Sequence, residues 1–311
     1  MSFLSSINQR LRRDFFKWRH QQSIRQVLKT PALQTGDMPF ILLSMVHKRD
    51  VLSYLVALKS FTQFANPGRI VMVCDPSIDE QDRALIRQHV PHIEFRKADE
   101  FTHPDVPRGG CWERLLAICS YSPQDYVVQL DADTVTVRMI AEVINAIRSN
   151  AGFVLGEEPK QALMTIAQTS DRAGPDIEGQ RHIQGLSEAR MAHIGLPVHR
   201  MYVRGCAGFT GFPSSGTMQQ DLLEFSRLMA ENIGRQRWAS WGTEQVTSNY
   251  LVANAQNTCV LPFPKYGTPD VMSDETAFLH FIGSMRFVNS KYERTSREAI
   301  RRISGLTSHP A

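Results

Sequence analysis

The order of apolar runs between residues 40 and 155 constrains the fold of this chain more than any other feature. Short runs rich in Val, Ile and Phe, at 40–46, 69–74, 92–97, 126–130 and 153–155, alternate with stretches of helical spacing at 51–64, 79–89, 111–119 and 141–148. Alternation of this kind is what a parallel sheet with helical crossovers requires. The expected fold class is therefore α/β, with a mostly parallel central sheet flanked by helices. At 311 residues, 42% of them hydrophobic and 21% charged, the chain can bury the core of one large domain.

The second half is more mixed. Residues 203–212 read as extended, 218–232 and 243–253 as helices, and 258–261 as a short strand. The stretch 157–204 is polar, rich in Gly, Gln, Arg and His, and longer than an ordinary connection. It reads as a functional insertion that shapes a pocket or lid. Five cysteines without a Cys-x-x-Cys pair argue against a zinc site or disulfide framework and suit a reducing compartment. With no apolar run of about 18 residues and no signal-peptide pattern at the start, a cytoplasmic protein is expected, with the inner membrane face as a peripheral location.

The basic charge belongs to the ends. Residues 1–30 hold seven Lys/Arg against Asp14 alone, and residues 286–311 hold six against Glu293 and Glu298. Leu4, Ile7, Leu11, Phe15 and Trp18 recur at helical spacing, so 2–29 reads as a basic amphipathic helix. Such a helix suits an anionic membrane surface or a docking site on the protein's own core. No nucleic-acid-binding motif accompanies it. The resulting division is 1–36 as a basic amphipathic segment, 37–290 as the principal domain and 291–311 as a basic C-terminal tail.

Tyr126-Val127-Val128-Gln129-Leu130-Asp131-Ala132-Asp133 carries an apolar strand directly into two carboxylates. If the strand continues through them, both acids point to one face and can share a divalent cation, Mg²⁺ or Mn²⁺. The bland alternative is Asp-x-Asp as a turn former. Near the other end, Phe278-Leu279-His280-Phe281-Ile282-Gly283-Ser284-Met285-Arg286 places an imidazole, a glycine and a cation at regular spacing. His280 is a candidate third metal ligand; Gly283 and Arg286 are candidates for phosphate binding.

Taken together, the strand–helix order, Asp131-x-Asp133 and His280-x-x-Gly283-x-x-Arg286 resemble GT-A-fold glycosyltransferases, in particular the glycogenin and bacterial lipooligosaccharide galactosyltransferase family (family 8). The resemblance implies a metal-dependent transfer, with retention, of a sugar from a nucleotide-diphosphate donor to a glycan or lipid-linked acceptor. It assigns Asp131, Asp133 and His280 to Mn²⁺ or Mg²⁺, and Arg286 to the donor diphosphate. Trp112-Glu113-Arg114-Leu115 is similar to the family's aromatic-x-Arg-Leu element, which makes Arg114 a donor-site residue, and Gly208 matches a glycine beside the transferred sugar. In this chain Arg286 replaces the family's Lys, and His47-Lys48-Arg49 follows the first strand where an acid would be expected near uracil.

A carboxylate or amide is needed beside the reacting sugar, and Glu244 and Gln245, opening a helix behind Gly242, are the catalytic candidates. Trp238 and Trp241 flank them and offer rings for an acceptor sugar. Two other readings remain open. Asp131 also fits the nucleophile position of haloacid dehalogenase-like phosphatases, with Asp270 and Asp274 as the later acids, and a membrane-associated scaffold without catalysis is the third.

Overall fold

The computed structural model describes residues 3–175 and 182–305. Helix α1 (Phe3–Ile24) precedes four strand–helix units and a further strand: β1 (Met38–Val46), α2 (Val51–Thr62), β2 (Pro67–Cys74), α3 (Glu80–His89), β3 (Ile93–Lys97), α4 (Trp112–Tyr121), β4 (Tyr126–Leu130), β5 (Thr134–Thr136), α5 (Ala141–Arg148) and β6 (Phe153–Gly156). Within the insertion lie β7 (Met164–Thr165), α6 (Ile166–Ala173), α7 (Ile183–Arg190) and β8 (Met201–Tyr202). The chain returns through β9 (Gly205–Phe212), α8 (Met218–Ile233), α9 (Arg235–Trp238), α10 (Thr243–Ala253), β10 (Cys259–Val260), β11 (Tyr266–Gly267), β12 (Phe278–His280) and α11 (Lys291–Ile303).

The main sheet has the order β10-β6-β9-β4-β1-β2-β3. All its neighbours pair in parallel except β9, which is antiparallel to both β4 and β6. Alternating side chains feed two cores: Phe40 and Leu42 of β1 join α2, α3, α5 and α11 on one face, while Ile41 and Leu43 join α4, α8 and α10 on the other. A slip of one residue would exchange the two sets. Both faces being covered explains why β1 and β4 are almost continuously apolar, whereas the edge strand β3, Ile93-Glu94-Phe95-Arg96-Lys97, alternates.

A second sheet, β11-β12-β5, sits beyond the end of β4. β12 runs antiparallel to β5, with His280 opposite Thr134. This pairing carries residue 280 to the aspartates.

The N-terminal helix forms as its spacing predicts, ending in a 3-10 turn at Arg25–Lys29. It lies against α11 and α2. His20 stacks on Tyr292 at 3.8 Å, Arg19 meets Glu293 at 3.0 Å, and Ile24 and Val27 are buried. The predicted apolar stripe is not the docking face, since Leu11, Phe15 and Trp18 are exposed. The basic stretch from Lys291 reads in the sequence as a tail, yet Lys291–Ile303 is a helix that buries Tyr292, Ala299 and Ile300. No helix among the described residues is long and apolar enough to cross a membrane.

Candidate functional site

β4 ends at Leu130, and residues 131–133 turn out of the sheet before β5 begins. The aspartates therefore converge through a turn, not through the strand alternation expected from the sequence. Ser44 Oγ donates to the Leu130 carbonyl at 2.6 Å, the Asp131 amide donates to Gly208 O at 2.9 Å, and Thr134 Oγ1 donates to Asp131 O at 2.8 Å. These bonds occupy the turn's backbone and leave both carboxyl groups for other work.

Asp131, Asp133 and His280 each offer one donor atom within 4.8 Å of the others. His280 Nε2 lies 3.2 Å from Asp133 Oδ1 and 3.9 Å from Asp131 Oδ2. The Phe281 amide donates to Asp133 O at 2.9 Å, so β12 and the turn are fixed to each other beside the imidazole. His280 Nδ1 faces Cys206 Sγ at 3.2 Å, an outer contact of the kind that orients a ligating ring. Gly208 lies beneath the ring: a Cβ built there would stand 2.1 Å from His280 Cε1. Only glycine leaves room for this imidazole.

Two guanidinium groups flank the carboxylates. Arg286 binds Asp133 through Nε at 3.2 Å and through a terminal nitrogen, and it reaches Asp50 Oδ1 at 3.0 Å. Arg114, 5% exposed, binds Asp131 and meets Glu244 Oε1 at 3.0 Å. Burial by itself would raise the pKa of Asp133, but His280 and Arg286 outweigh it and hold the group well below the carboxylate range. Burial opposes the charged form of His280, yet the Cys206 sulfur and Asp133 raise its pKa well above the ordinary value. Glu244 is pushed up to about 7, chiefly by burial, with Arg114 working against the rise.

The donor set fits a small hard divalent cation. Two carboxylate oxygens suit Mg²⁺ and Mn²⁺ alike, and the added imidazole suits Mn²⁺. Among the described residues this is the one His/Cys/Asp/Glu group so arranged. Asp270 and Asp274 are exposed on a loop, and they are not part of the group.

Of the other candidates, Gly283 opens a 3-10 turn and has open space around its Cα. With Arg286 it lines a cavity of about 700 Å³, which is lined also by Lys17, His20 and Arg25 of the N-terminal segment and by Lys48 and Asp50. Glu244 and Gln245 open α10 behind Gly242, whose φ of +103° a side chain would strain. Glu244 is spent on Arg114, whereas half-buried Gln245 reaches Gln184 Oε1 at 3.4 Å. Trp238 is core and Trp241 is 76% exposed. In the insertion, Arg172, His182, Glu188, Tyr202 and Arg204 line a cavity of about 310 Å³, where Glu188 is held by Arg204 at 2.8 Å and Tyr202 at 3.2 Å. Asp50 and Cys206 carry no sequence signal of their own, and only the tertiary fold gives them partners.

No family model matches this chain, and no curated protein matches it. Solved structures do. The bifunctional glycosyltransferase WbbM superposes with a TM-score of 0.51 at 15% identity, over 89% of this chain and 53% of WbbM. The fold is of GT-A type. Mouse xyloside xylosyltransferase 1 gives a TM-score of 0.46 at 15% identity, over 80% of this chain and 98% of that one. The galactosyltransferase LgtC, solved with donor and acceptor sugar analogues, gives 0.44 at 12% identity, over 87% and 98%. This chain spans about half the length of the WbbM structure, and at these identities the likeness concerns the fold.

Proposed function

We propose that this chain is a metal-dependent glycosyltransferase that moves a sugar from a nucleotide-diphosphate donor to a glycan or lipid-linked acceptor, with retention at the transferred carbon. The observation that carries the reading is the meeting of Asp131, Asp133 and His280 at the carboxyl end of β4, where open α/β sheets bind ligands. Mn²⁺ or Mg²⁺ held there would supply positive charge to a departing diphosphate.

The chain's own residues then divide the task. Arg286 lies between Asp133 and the 700 Å³ cavity, which makes it the donor phosphate ligand, with the exposed backbone at Gly283 beside it. The cavity is of a size to take a nucleoside. Lys48 and Arg49 line it together with Asp14, Asp50 and Asp82. Arg114 fixes Asp131 and Glu244 and faces the transferred sugar. Gly208 keeps the imidazole in place, and its role toward the sugar follows from that position.

Glu244 and Gln245 are the catalytic candidates. Gln245 is the more accessible of the two, and its amide would support charge on the reacting sugar while Glu244 holds Arg114. The 310 Å³ cavity of the insertion, next to α10, is the acceptor pocket in this reading, and the reaction takes place in the cytoplasm. A phosphatase reading would need Asp131 beside a second acidic pair; Asp131 is instead bound by Arg114 and grouped with His280.

Incubation with a panel of nucleotide sugars and Mn²⁺ tests the proposal. Slow release of nucleoside diphosphate without acceptor is expected. Release of inorganic phosphate from simple phosphate esters, or no metal-dependent product from any donor, would overturn it.

A further inference from the structure

Helix α1 has two faces that do different things. On a helix of about 3.6 residues per turn, His20 and Ile24 lie on the side opposite Leu11, Phe15 and Trp18. The first pair is buried against the protein; the second set is 63%, 51% and 58% exposed. An amphipathic helix that only served to dock would turn its apolar stripe inward. Here the helix is anchored by its other side, through the His20 stack on Tyr292, the Arg19–Glu293 pair and Ser23 Oγ donating to Glu293 at 3.0 Å. The large apolar side chains are held outward by a fixed attachment.

The borders of the stripe are cationic. By helical position, Arg12 follows one edge, beside Arg19 that Glu293 holds, and Arg10 and Lys17 follow the other. Asp14 is the only acid within residues 1–30. Alongside, α11 packs on α1 and adds exposed Arg294 and Arg301 with one exposed acid, Glu298, between them. Rings and aliphatic side chains in the centre with basic groups along both margins match a bilayer interface, where the apolar groups enter the acyl boundary and the cations meet anionic headgroups. A second copy of this helix would bring equal basic borders together, and charge complementarity favours the anionic surface.

We propose that the Leu11–Phe15–Trp18 face of α1 is a docking surface for anionic membrane. The inference goes beyond the transferase reading and does not depend on it. The opposite, anchored side of α1 lines the 700 Å³ cavity through His20 and Ile24.

The test is sedimentation of the full chain with vesicles of phosphatidylcholine alone and of phosphatidylcholine mixed with phosphatidylglycerol. Binding is expected to the mixed vesicles only, to weaken with salt, and to blue-shift emission from Trp18. The L11A/F15A/W18A variant should lose roughly 100-fold in vesicle affinity, and R10E/R12E roughly tenfold or more, both with the wild-type melting temperature, because the exchanged side chains are exposed. No binding by the wild type would overturn the proposal, and so would equal binding by the triple variant. A wild-type dimer that the triple variant dissolves would overturn it too, assigning the stripe to a second copy. Donor hydrolysis without vesicles is measured in parallel: unchanged hydrolysis beside lost sedimentation separates this inference from the transferase reading.

Discussion

Replacing Gly208 by alanine removes none of the three candidate ligands and no charge, yet it should disable the proposed metal site. The added Cβ would stand 2.1 Å from His280 Cε1 and 2.6 Å from both ring nitrogens. To reach ordinary contact at 3.4 Å the ring must move by about 1.3 Å, several times the ~0.2 Å within which a metal–ligand distance can vary. Strand β9 cannot easily retreat instead, since the Gly208 carbonyl accepts from the Asp131 amide at 2.9 Å. Overpacking should cost about 1–3 kcal/mol of stability, and Mn²⁺ affinity should fall about 10–100-fold, as when a ligand loses its orientation. Calorimetric titration with Mn²⁺ and nucleotide reads the loss. In a His280→Ala background, which empties the space that the new Cβ needs, Gly208→Ala should add little further loss of either affinity or stability. Wild-type Mn²⁺ affinity in Gly208→Ala would refute the reasoning, as would losses that add in full in the double variant.

Arg114→Met should lower stability by about 3 kcal/mol, because it leaves Glu244 buried and both carboxylates without their shared cation; a melting temperature near the wild type would show that Arg114 does not hold them. Glu244, with its pKa at about 7 in the folded chain against an ordinary 4.5, keeps its proton in a range where the unfolded chain has lost it. Its contribution should therefore be present below about pH 4.5 and fade as pH rises toward 7, a loss of about 3 kcal/mol. Glu244→Gln should flatten that slope in urea melts, and parallel slopes would count against it. Trp241→Ala should raise the acceptor KM while leaving donor hydrolysis and stability within about 0.5 kcal/mol of wild type, since the ring is exposed; an unchanged acceptor KM would remove Trp241 from the acceptor site.

The parallel half of the sheet is legible in the sequence because β1, β2 and β4 carry apolar runs long enough to be seen, β3 alternates as Ile93-Glu94-Phe95-Arg96, and each crossover helix has its own spacing. Asp131 and Asp133 stand out for the same reason, as charge at the end of such a run. His280 is harder. Its strand, Phe278–His280, pairs for three residues with β5, some 140 positions earlier, and no local pattern encodes so distant a partner. Gly208 is visible as a glycine, but its cause, the imidazole above it, is a tertiary contact. Asp50 gains meaning only from Arg286, and Cys206 only from His280. For α1 the periodicity gives the stripe correctly, while the side that docks is chosen by His20, Ser23 and Ile24, which the stripe does not contain.

The fold also shows why the site is placed where it is. Strand β9 runs against its neighbours and brings Gly208 and Cys206 from the second half of the chain to the end of β4. The small sheet then folds His280 back over them, and Arg286, six residues on, spans from Asp133 to Asp50 after β1. Three distant segments thus meet through backbone pairing before any ligand enters.

Calorimetry of nucleoside diphosphate binding, with and without Mn²⁺, tests the central claim most directly. The account predicts tight binding that requires the cation in the wild type and is lost in Asp131→Asn, Asp133→Asn and His280→Ala, with melting temperatures changed less than affinity. Equal nucleotide affinity in the presence and absence of Mn²⁺ would contradict it.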